Sequence, residues 1–403
     1  MYRTPYCIHI KTTTSTTHQQ NTNHASRTSN HETPEHNLHP EMTTQPSTDT
    51  IRVAVLDDYA STSQPYFDPL LATHKSLKVD YIPSTIPNYT SPADLQSQIQ
   101  RLQPYQIIST MRERTKFPAE LVSQLPNLKL LLTTAMHNAG IDVAACEKQG
   151  VVVCGTNVRG EAAARGAKKG GDTTNEQTWA LLLGVMRGIA ADDARVKTGG
   201  GEAWQDGMAT GLAGRTLGLL GLGRLGLHAA VTGVLGFGME VVCWSTNLTQ
   251  EVADERAVSK GLGKGVLRVA KDKESFFREA DVVSVHYVLS ERSVGIVGEQ
   301  ELGWMKESAF LVNTSRGPLV DEKALVSALR AGKIRGAGLD VFGVEPLPAD
   351  SPWRSAEWGG KVVISPHMGY VEEGTMNKWY EQTAENVEKW LKGEDVINVM
   401  KPK

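Results

Sequence analysis

The sequence predicts an α/β protein made of two doubly wound domains, each a parallel sheet flanked by helices, with a cleft between them. Three observations lead there. From residue 52 onward, short continuous apolar runs alternate with helical patterns, as expected of strands buried on both faces. The runs form two series separated by a long helical stretch. A glycine-rich turn of strand-to-helix type opens the second series.

The first series consists of RVAVLDD (52–58), QIIST (106–110), LKLLLTT (128–134) and VVVCGT (151–156), each of the last three following a helix-like segment. The stretch 174–196 has helical periodicity, with Thr173 or Thr174 as its cap, and reads as one helix of about six turns linking the domains. The second series is RTLGLLG (215–221), MEVVCWS (239–245), DVVSVHY (281–287), AFLVNTS (309–315), GAGLDV (336–341) and KVVISPH (361–367). Residues 372–392 form one more amphipathic helix, which crosses back to complete the first domain. The expected division is a first domain of residues 51–172 and 366–403 and a second of 173–365.

Length and composition agree with this plan. At ~100–200 residues per domain, 403 residues allow two to four domains. Hydrophobic residues are 40 % and charged residues 22 %, which suits an ordinary packed core. The net charge of −3 argues against a general polyanion binder, so no nucleic-acid partner is expected. No stretch approaches the ~18 apolar residues of a membrane span. Cys7, Cys146, Cys154 and Cys243 lack CxxC spacing, so they read as reduced thiols of a cytoplasmic protein and not as a zinc site or disulfide framework.

Two segments stand apart. The first fifty residues hold 17 Ser or Thr and 6 of the 11 His and read as a disordered tail, its histidines scattered without ligand spacing. The Ser-rich, acid-poor start leaves a mitochondrial presequence as an alternative location, and Met42 is a plausible translation start. Residues 158–172 are rich in Gly, Ala and basic side chains without an aromatic for base stacking. They read as a surface loop, with a nucleic-acid patch or an error in the gene structure as the other readings.

Chemistry enters with GLGRLG. Gly221, Gly223 and Gly226 follow an apolar run and open a helical one, the arrangement that brings a dinucleotide pyrophosphate to a helix N-terminus. The intervening Arg224 and Leu225 begin that helix. About 20 residues on, where an NAD site has a ribose-binding carboxylate, stands Ser245, followed by Thr246 and Asn247. A small neutral residue tolerates a 2′-phosphate, with Arg224 as its partner, while the lack of a basic cluster leans to NAD. NAD is therefore the expected cofactor and NADP stays open.

Hydride transfer to a 2-keto acid needs a cation for the carboxylate and carbonyl and a proton donor that titrates near neutrality. A carboxylate behind a histidine orients the ring and favours its charged form. Strand ends of the second series supply such a set: Arg316 in NTSRGP, Glu345 in GLDVFGVEP and His367 in ISPHMGY. Ligands of open α/β sheets bind at those ends.

With these residues in place the sequence resembles the D-isomer-specific 2-hydroxyacid dehydrogenases. The resemblance rests on GLGRLG, the run from SVHYVLSERSVG to NTSRGPLVDEKALVSAL, GAGLDVFGVEPLP and SPHMGY, in that order, and spans about residues 52–395. It implies a flavodoxin-like substrate domain hinged to a Rossmann cofactor domain. It implies Arg316 as substrate clamp, Glu345 as partner of the histidine and His367 as acid/base. Glu345 also argues against the formate dehydrogenase branch, which carries an amide there. By the same resemblance Thr178 lies near the nicotinamide ribose, and His286 and Tyr287 beside the adenosine half. Thr314, Arg316, Asp340 and His367 line the nicotinamide site, with Asp340 on the carboxamide; on the residues alone, the other reading of a strand-end Asp is a cap on the following turn. The backbone at Ala135, Met136, His137 and Asn138 holds the substrate carboxylate, and a glycine is commoner at the position of Ala135. A homodimer through the cofactor domains is also implied. Arg112, at another strand end, is placed to help hold an anionic small 2-keto or 2-hydroxy acid. Met111, Met136 and His137 suggest a partly apolar pocket, and Asp57 and Asp58 read as loop or surface residues, although Asp57 ends a strand. The rivals are a non-catalytic NAD(H)-sensing corepressor or scaffold and a Rossmann-like methyltransferase.

Overall fold

The computed structural model describes residues 50–85, 91–157, 172–198, 204–205 and 207–402. The expectations for residues 1–49, Met42 among them, and for residues 158–171 lie outside the described residues.

The first sheet is built from β1 (Ile51–Leu56), α1 (Gln64–Thr73), β2 (Leu77–Ile82), α2 (Pro92–Leu102), β3 (Ile107–Thr110), α3 (Ala119–Val122), β4 (Leu130–Thr133), α4 (Val143–Lys148) and β5 (Val152–Cys154). Its five strands are parallel in the order β2-β1-β3-β4-β5. The chain leaves β1 for the edge and returns to its other side, so a crevice opens where the order reverses, at the carboxyl ends of β1 and β3. Asp57, Arg112 and Ala135 sit just past β1, β3 and β4, all with positive φ (62°, 52° and 81°). Left-handed backbone at non-glycine residues carries strain that the surrounding fold must hold.

Next come α5 (Thr173–Arg187) and α6 (Ile189–Thr198). The expected single helix is two helices, because Gly188 adopts the left-handed conformation (φ 69°) that terminates α5. The cap of α5 is neither Thr173 nor Thr174 but Asp172, whose carboxylate accepts from the Thr174 amide at 3.0 Å.

The second sheet follows as β6 (Thr216–Leu220), α7 (Arg224–Phe237), β7 (Glu240–Trp244), α8 (Gln250–Ser259), β8 (Leu267–Val269), α9 (Lys273–Glu279), β9 (Val282–Val285), α10 (Glu299–Trp304), β10 (Phe310–Asn313), α11 (Glu322–Arg330), β11 (Gly336–Leu339) and β12 (Val362–Ile364). Seven parallel strands run β12-β11-β10-β9-β6-β7-β8. Their order reverses between β6 and β9, the switch point at which a nucleotide-binding sheet receives its ligand. The two sheets together are the doubly wound α/β architecture the sequence predicts.

Strands β2 and β8 were not foreseen. Both are edge strands. Half-exposed edges tolerate the polar residues of LKVDYI, and three-residue β8 is too short to show a pattern.

The last helix, α12 (Glu373–Lys392), packs on the five-stranded sheet. Its buried Met376, Trp379, Tyr380, Ala384 and Val387 recur at helical spacing and meet Val53, Val55, Phe67 and Ile107. Each such side chain removed from water is worth about 1.5–3 kcal/mol, enough to tie the chain's end to its beginning.

Candidate active site

His367 follows β12 by a tight turn and has φ 58°. Asp340, fully buried past β11, builds that turn. Its Oδ1 accepts from the Ser365 hydroxyl at 2.5 Å and the Met368 amide at 2.8 Å, and its Oδ2 from the Gly369 amide at 2.9 Å. Asp340 thus organises the backbone around His367, the turn-capping role open to a strand-end Asp. The same turn places His367 Nδ1 2.7 Å from Glu345 Oε2. Glu345 Oε1 accepts from the Phe342 amide at 2.8 Å, which orients the carboxylate. Burial pushes the Glu345 carboxyl up. The bond and charge of His367, the Phe342 amide and the charge of Arg316 outweigh it and hold the group below the usual carboxylate range.

Arg316, just past β10, donates from Nη1 to the Ser315 carbonyl at 2.8 Å. Its Nη2 lies 3.9 Å from Glu113 Oε1, and Glu113 Oε2 lies 3.4 Å from Arg112 Nε. Arg112 and Arg316 therefore approach one carboxylate from opposite sheets. The Arg112 guanidinium also covers the Tyr370 ring at 5.4 Å, and that ring meets the His367 imidazole edge-on with centroids 5.7 Å apart. A cavity of about 370 Å³ has Arg112, Glu113, Arg114, Glu345, His367 and Tyr370 in its walls, and Arg316 stands behind Glu113.

The loop after β4 lies at another strand end. Ala135 donates its amide to Thr156 Oγ1 at 2.6 Å, and Met136 and His137 are exposed. Asn138 is buried. Its Nδ2 donates to the Arg112 carbonyl at 2.6 Å and to Thr133 Oγ1 at 2.8 Å, while its Oδ1 accepts from the Gly140 amide. The Asn138 side chain ties this loop to the Arg112 loop.

Three expectations need correction. Met111 is completely buried, packed in the sheet core with its sulfur 3.2 Å from Thr134 Oγ1, so it does not line the pocket. Asp57 and Asp58 are buried, not surface residues. Asp57 accepts from Thr85 at 2.5 Å and Thr115 at 2.8 Å, bracing the Arg112 loop, and burial pushes its carboxyl up. Asp58 accepts from the Ser63 amide at 2.8 Å and holds the turn into α1. Glu113, Thr115 and Tyr370 were not singled out in the sequence. The one signal was the position of Glu113 and Thr115 in the charged strand-end loop MRERT.

The second crevice has the form a dinucleotide needs. Gly221 has φ 100°, and a Cβ there would lie 2.6 Å from the His286 carbonyl oxygen. A Cβ on Gly226 would lie 2.2 Å from the Gly221 carbonyl oxygen, so strand and helix touch through backbone. The third position, Gly223, caps α7 and faces open space beside the helix's free N–H groups. An open, side-chain-free approach to a helix N-terminus fits a pyrophosphate. Arg224 is exposed and ion-paired with Asp172, and Leu225 is half-buried. Ser245 is half-buried after β7, and beside it the Thr246 hydroxyl meets the Tyr287 hydroxyl at 2.9 Å. Thr178 and Thr314, from α5 and the end of β10, share a hydroxyl contact of 2.7 Å. His286 bonds Ser284 Oγ through Nε2 at 2.9 Å, and its buried Nδ1 has no hydrogen-bond partner among the described residues. Burial pushes this imidazole down to about 4.

Among the described residues no helix is long and apolar enough to cross a membrane. Cys146, Cys154 and Cys243 are buried thiols, each pushed up to about 12 by burial.

Known proteins resemble this chain in sequence and in fold. Residues 179–369 match the family described as D-isomer specific 2-hydroxyacid dehydrogenase, NAD binding domain. The chain is 36 % identical over 285 residues to a glyoxylate reductase of Korarchaeum cryptofilum, covering 70 % of this chain and 79 % of the relative. A crystal structure of phosphoglycerate oxidoreductase from Vibrio cholerae is 31 % identical with a TM-score of 0.70, covering 85 % of this chain and all of that one. A D-lactate dehydrogenase from Aquifex aeolicus, solved with NAD and lactic acid, is 25 % identical with a TM-score of 0.64, covering 87 % of this chain and all of that one.

Proposed function

Since the chain belongs to the D-isomer-specific 2-hydroxyacid dehydrogenases, we propose that Arg316, Glu345 and His367 carry its reaction, with a short 2-keto acid such as glyoxylate or hydroxypyruvate as substrate. The chain is an NAD(P)-dependent oxidoreductase of small 2-hydroxy acids. The observation that carries the residue assignment is the 2.7 Å pair of His367 and Glu345 beside a cavity that Arg316 reaches through Glu113.

In the reducing direction Arg316 and the backbone of residues 135–138 hold the carboxylate, with Arg112 adding positive charge. Arg316 also polarises the keto oxygen. The bound nicotinamide supplies the hydride. Glu345 accepts a hydrogen bond from the Nδ1–H of His367, which leaves Nε2 to face the substrate and give its proton to the developing alkoxide. Glu345 stabilises the charged imidazole until that proton leaves. In the oxidising direction neutral His367 removes the hydroxyl proton.

The dinucleotide would lie along Gly221, Gly223, Arg224, Leu225 and Gly226, with its adenosine half near Ser245, His286 and Tyr287. Thr178, Thr314 and Asp340 would flank the nicotinamide end. The substrate would sit on residues 51–172 and 366–403 and the cofactor on 173–365. We place the protein in the cytoplasm, which its reduced thiols suit, as a homodimer joined on the cofactor side. Exposed Ile189, Val196, Trp204 and Met208 supply apolar surface there.

The test follows nicotinamide absorbance with glyoxylate, hydroxypyruvate, pyruvate and bulkier 2-keto acids, using NADH and NADPH separately. Oxidation with glyoxylate or hydroxypyruvate is expected. Turnover confined to bulky acids would overturn the substrate assignment, and none at all would overturn the catalytic one.

A further inference from the structure

Glu113 stands where an anionic substrate is least expected to meet a carboxylate. It lies in the strand-end loop of the first sheet, between Arg112 Nε at 3.4 Å and Arg316 Nη2 at 3.9 Å. Arg112 Nε is buried and makes no hydrogen bond among the described residues, so Glu113 is the nearest compensation for its charge. Both contacts are ionic and longer than hydrogen bonds, which leaves the carboxylate lone pairs able to accept from something else. Glu113 also lines the 370 Å³ cavity that His367 and Glu345 face.

We propose that Glu113 is a specificity-determining residue. Its carboxylate, set between Arg112 and Arg316, selects 2-keto acids with an uncharged, hydrogen-bond-donating substituent over those carrying a second anion. The inference rests on the reading that Arg316 holds the substrate carboxylate. Once that carboxylate occupies Arg316, Glu113 is left facing the rest of the substrate. A hydroxyl there donates to it. A phosphate or second carboxylate meets a like charge, which offsets part of the attraction of Arg112, Arg114 and Arg354 in the same cavity wall. At about 6 Å and an effective dielectric near 20, such repulsion is worth roughly a hundredfold in affinity, and about tenfold once solvent screening is allowed for. Discrimination by a misplaced charge complements discrimination by fit.

The experiment compares the full-length chain with Glu113→Gln, which keeps shape and removes charge. Initial rates are measured with hydroxypyruvate and with 3-phosphohydroxypyruvate. The ratio of kcat/KM for the phosphorylated acid to that for hydroxypyruvate should rise about tenfold in the variant, through KM. General loosening of the loop lowers both efficiencies and leaves the ratio alone. Glu113→Ser should shift the ratio the same way, and Glu113→Asp should leave it near the wild-type value. An unchanged ratio in both neutral variants, with wild-type melting temperatures, overturns the inference. Absence of turnover in the wild type with every keto acid is a different result, and it overturns the reading beneath.

Discussion

His367 Nδ1 lies 2.7 Å from Glu345 Oε2, although the two residues are 22 positions apart and follow different strands. The pair occupies Nδ1, and under the proposed function Nε2 serves the substrate. His367→Ala should lower kcat about 10²–10⁴-fold, the worth of a positioned general acid. Nucleotide affinity should stay within a fewfold, measured by fluorescence titration. Full turnover in this variant would remove His367 from the mechanism.

Arg316 is assigned both binding and carbonyl polarisation. Losing one such donor costs about 10²–10³-fold in turnover, and loss of the carboxylate contact adds to KM. Arg316→Ala should therefore reduce kcat/KM by more than about 10³-fold. A variant that changes KM alone would assign Arg316 to binding only.

Gly226 has no room for a side chain. In Gly226→Ala the new methyl lies 2.2 Å from the Gly221 carbonyl oxygen unless strand and helix separate. Overpacking of this kind costs about 1–3 kcal/mol and displaces the helix N-terminus offered to the pyrophosphate. Dinucleotide affinity should fall at least about tenfold by calorimetry. Undiminished affinity would place the nucleotide elsewhere.

His286 makes stability depend on pH. Burial brings its folded value down to about 4, from 6.5 in the unfolded chain. Between those values the unfolded chain binds a proton that the folded chain does not. The stability His286 contributes is therefore intact above about 6.5 and is lost as pH falls toward 4. Melting temperatures from pH 7 to 4.5 should fall more steeply in the wild type than in His286→Asn. Parallel curves would mean that the imidazole titrates freely.

Asp340 accepts three hydrogen bonds from the turn that carries His367. Asp340→Ala should lower stability by roughly 2–4 kcal/mol, since buried donors lose a charged partner. It should also lower kcat with hydroxypyruvate more than it raises KM. Denaturant midpoints and steady-state kinetics read the two effects, and an unaltered midpoint would deny Asp340 its structural part.

Much of the plan is written in local pattern. Parallel strands of these sheets read as unbroken apolar runs even where, as in β5 and β12, one side is exposed, so ten of the twelve strands are visible without a partner in view. Arg316 and His367 stand at the ends of such runs and Glu345 in the loop after another, and parallel sheets present those ends on one side, which is why the proposed catalytic set and the glycine turn are legible in order. What the pattern lacks is pairing. Edge strands β2 and β8 carry too little apolar signal, and only their neighbours make them strands. Gly188 ends a helix because its backbone turns left-handed, which helical periodicity on both sides conceals. Met111, Asp57 and Glu113 show how far side-chain fate depends on distant chain. Met111 faces the core instead of the cleft, and Asp57 is buried under threonines 28 and 58 positions away. Glu113 meets Arg316 only because two sheets close on each other. Local sequence determines which segments are strands and which chemistry ends them; which charges face each other is decided by packing, because Coulomb and hydrogen-bond energies act over a few ångströms of space whatever the separation in sequence.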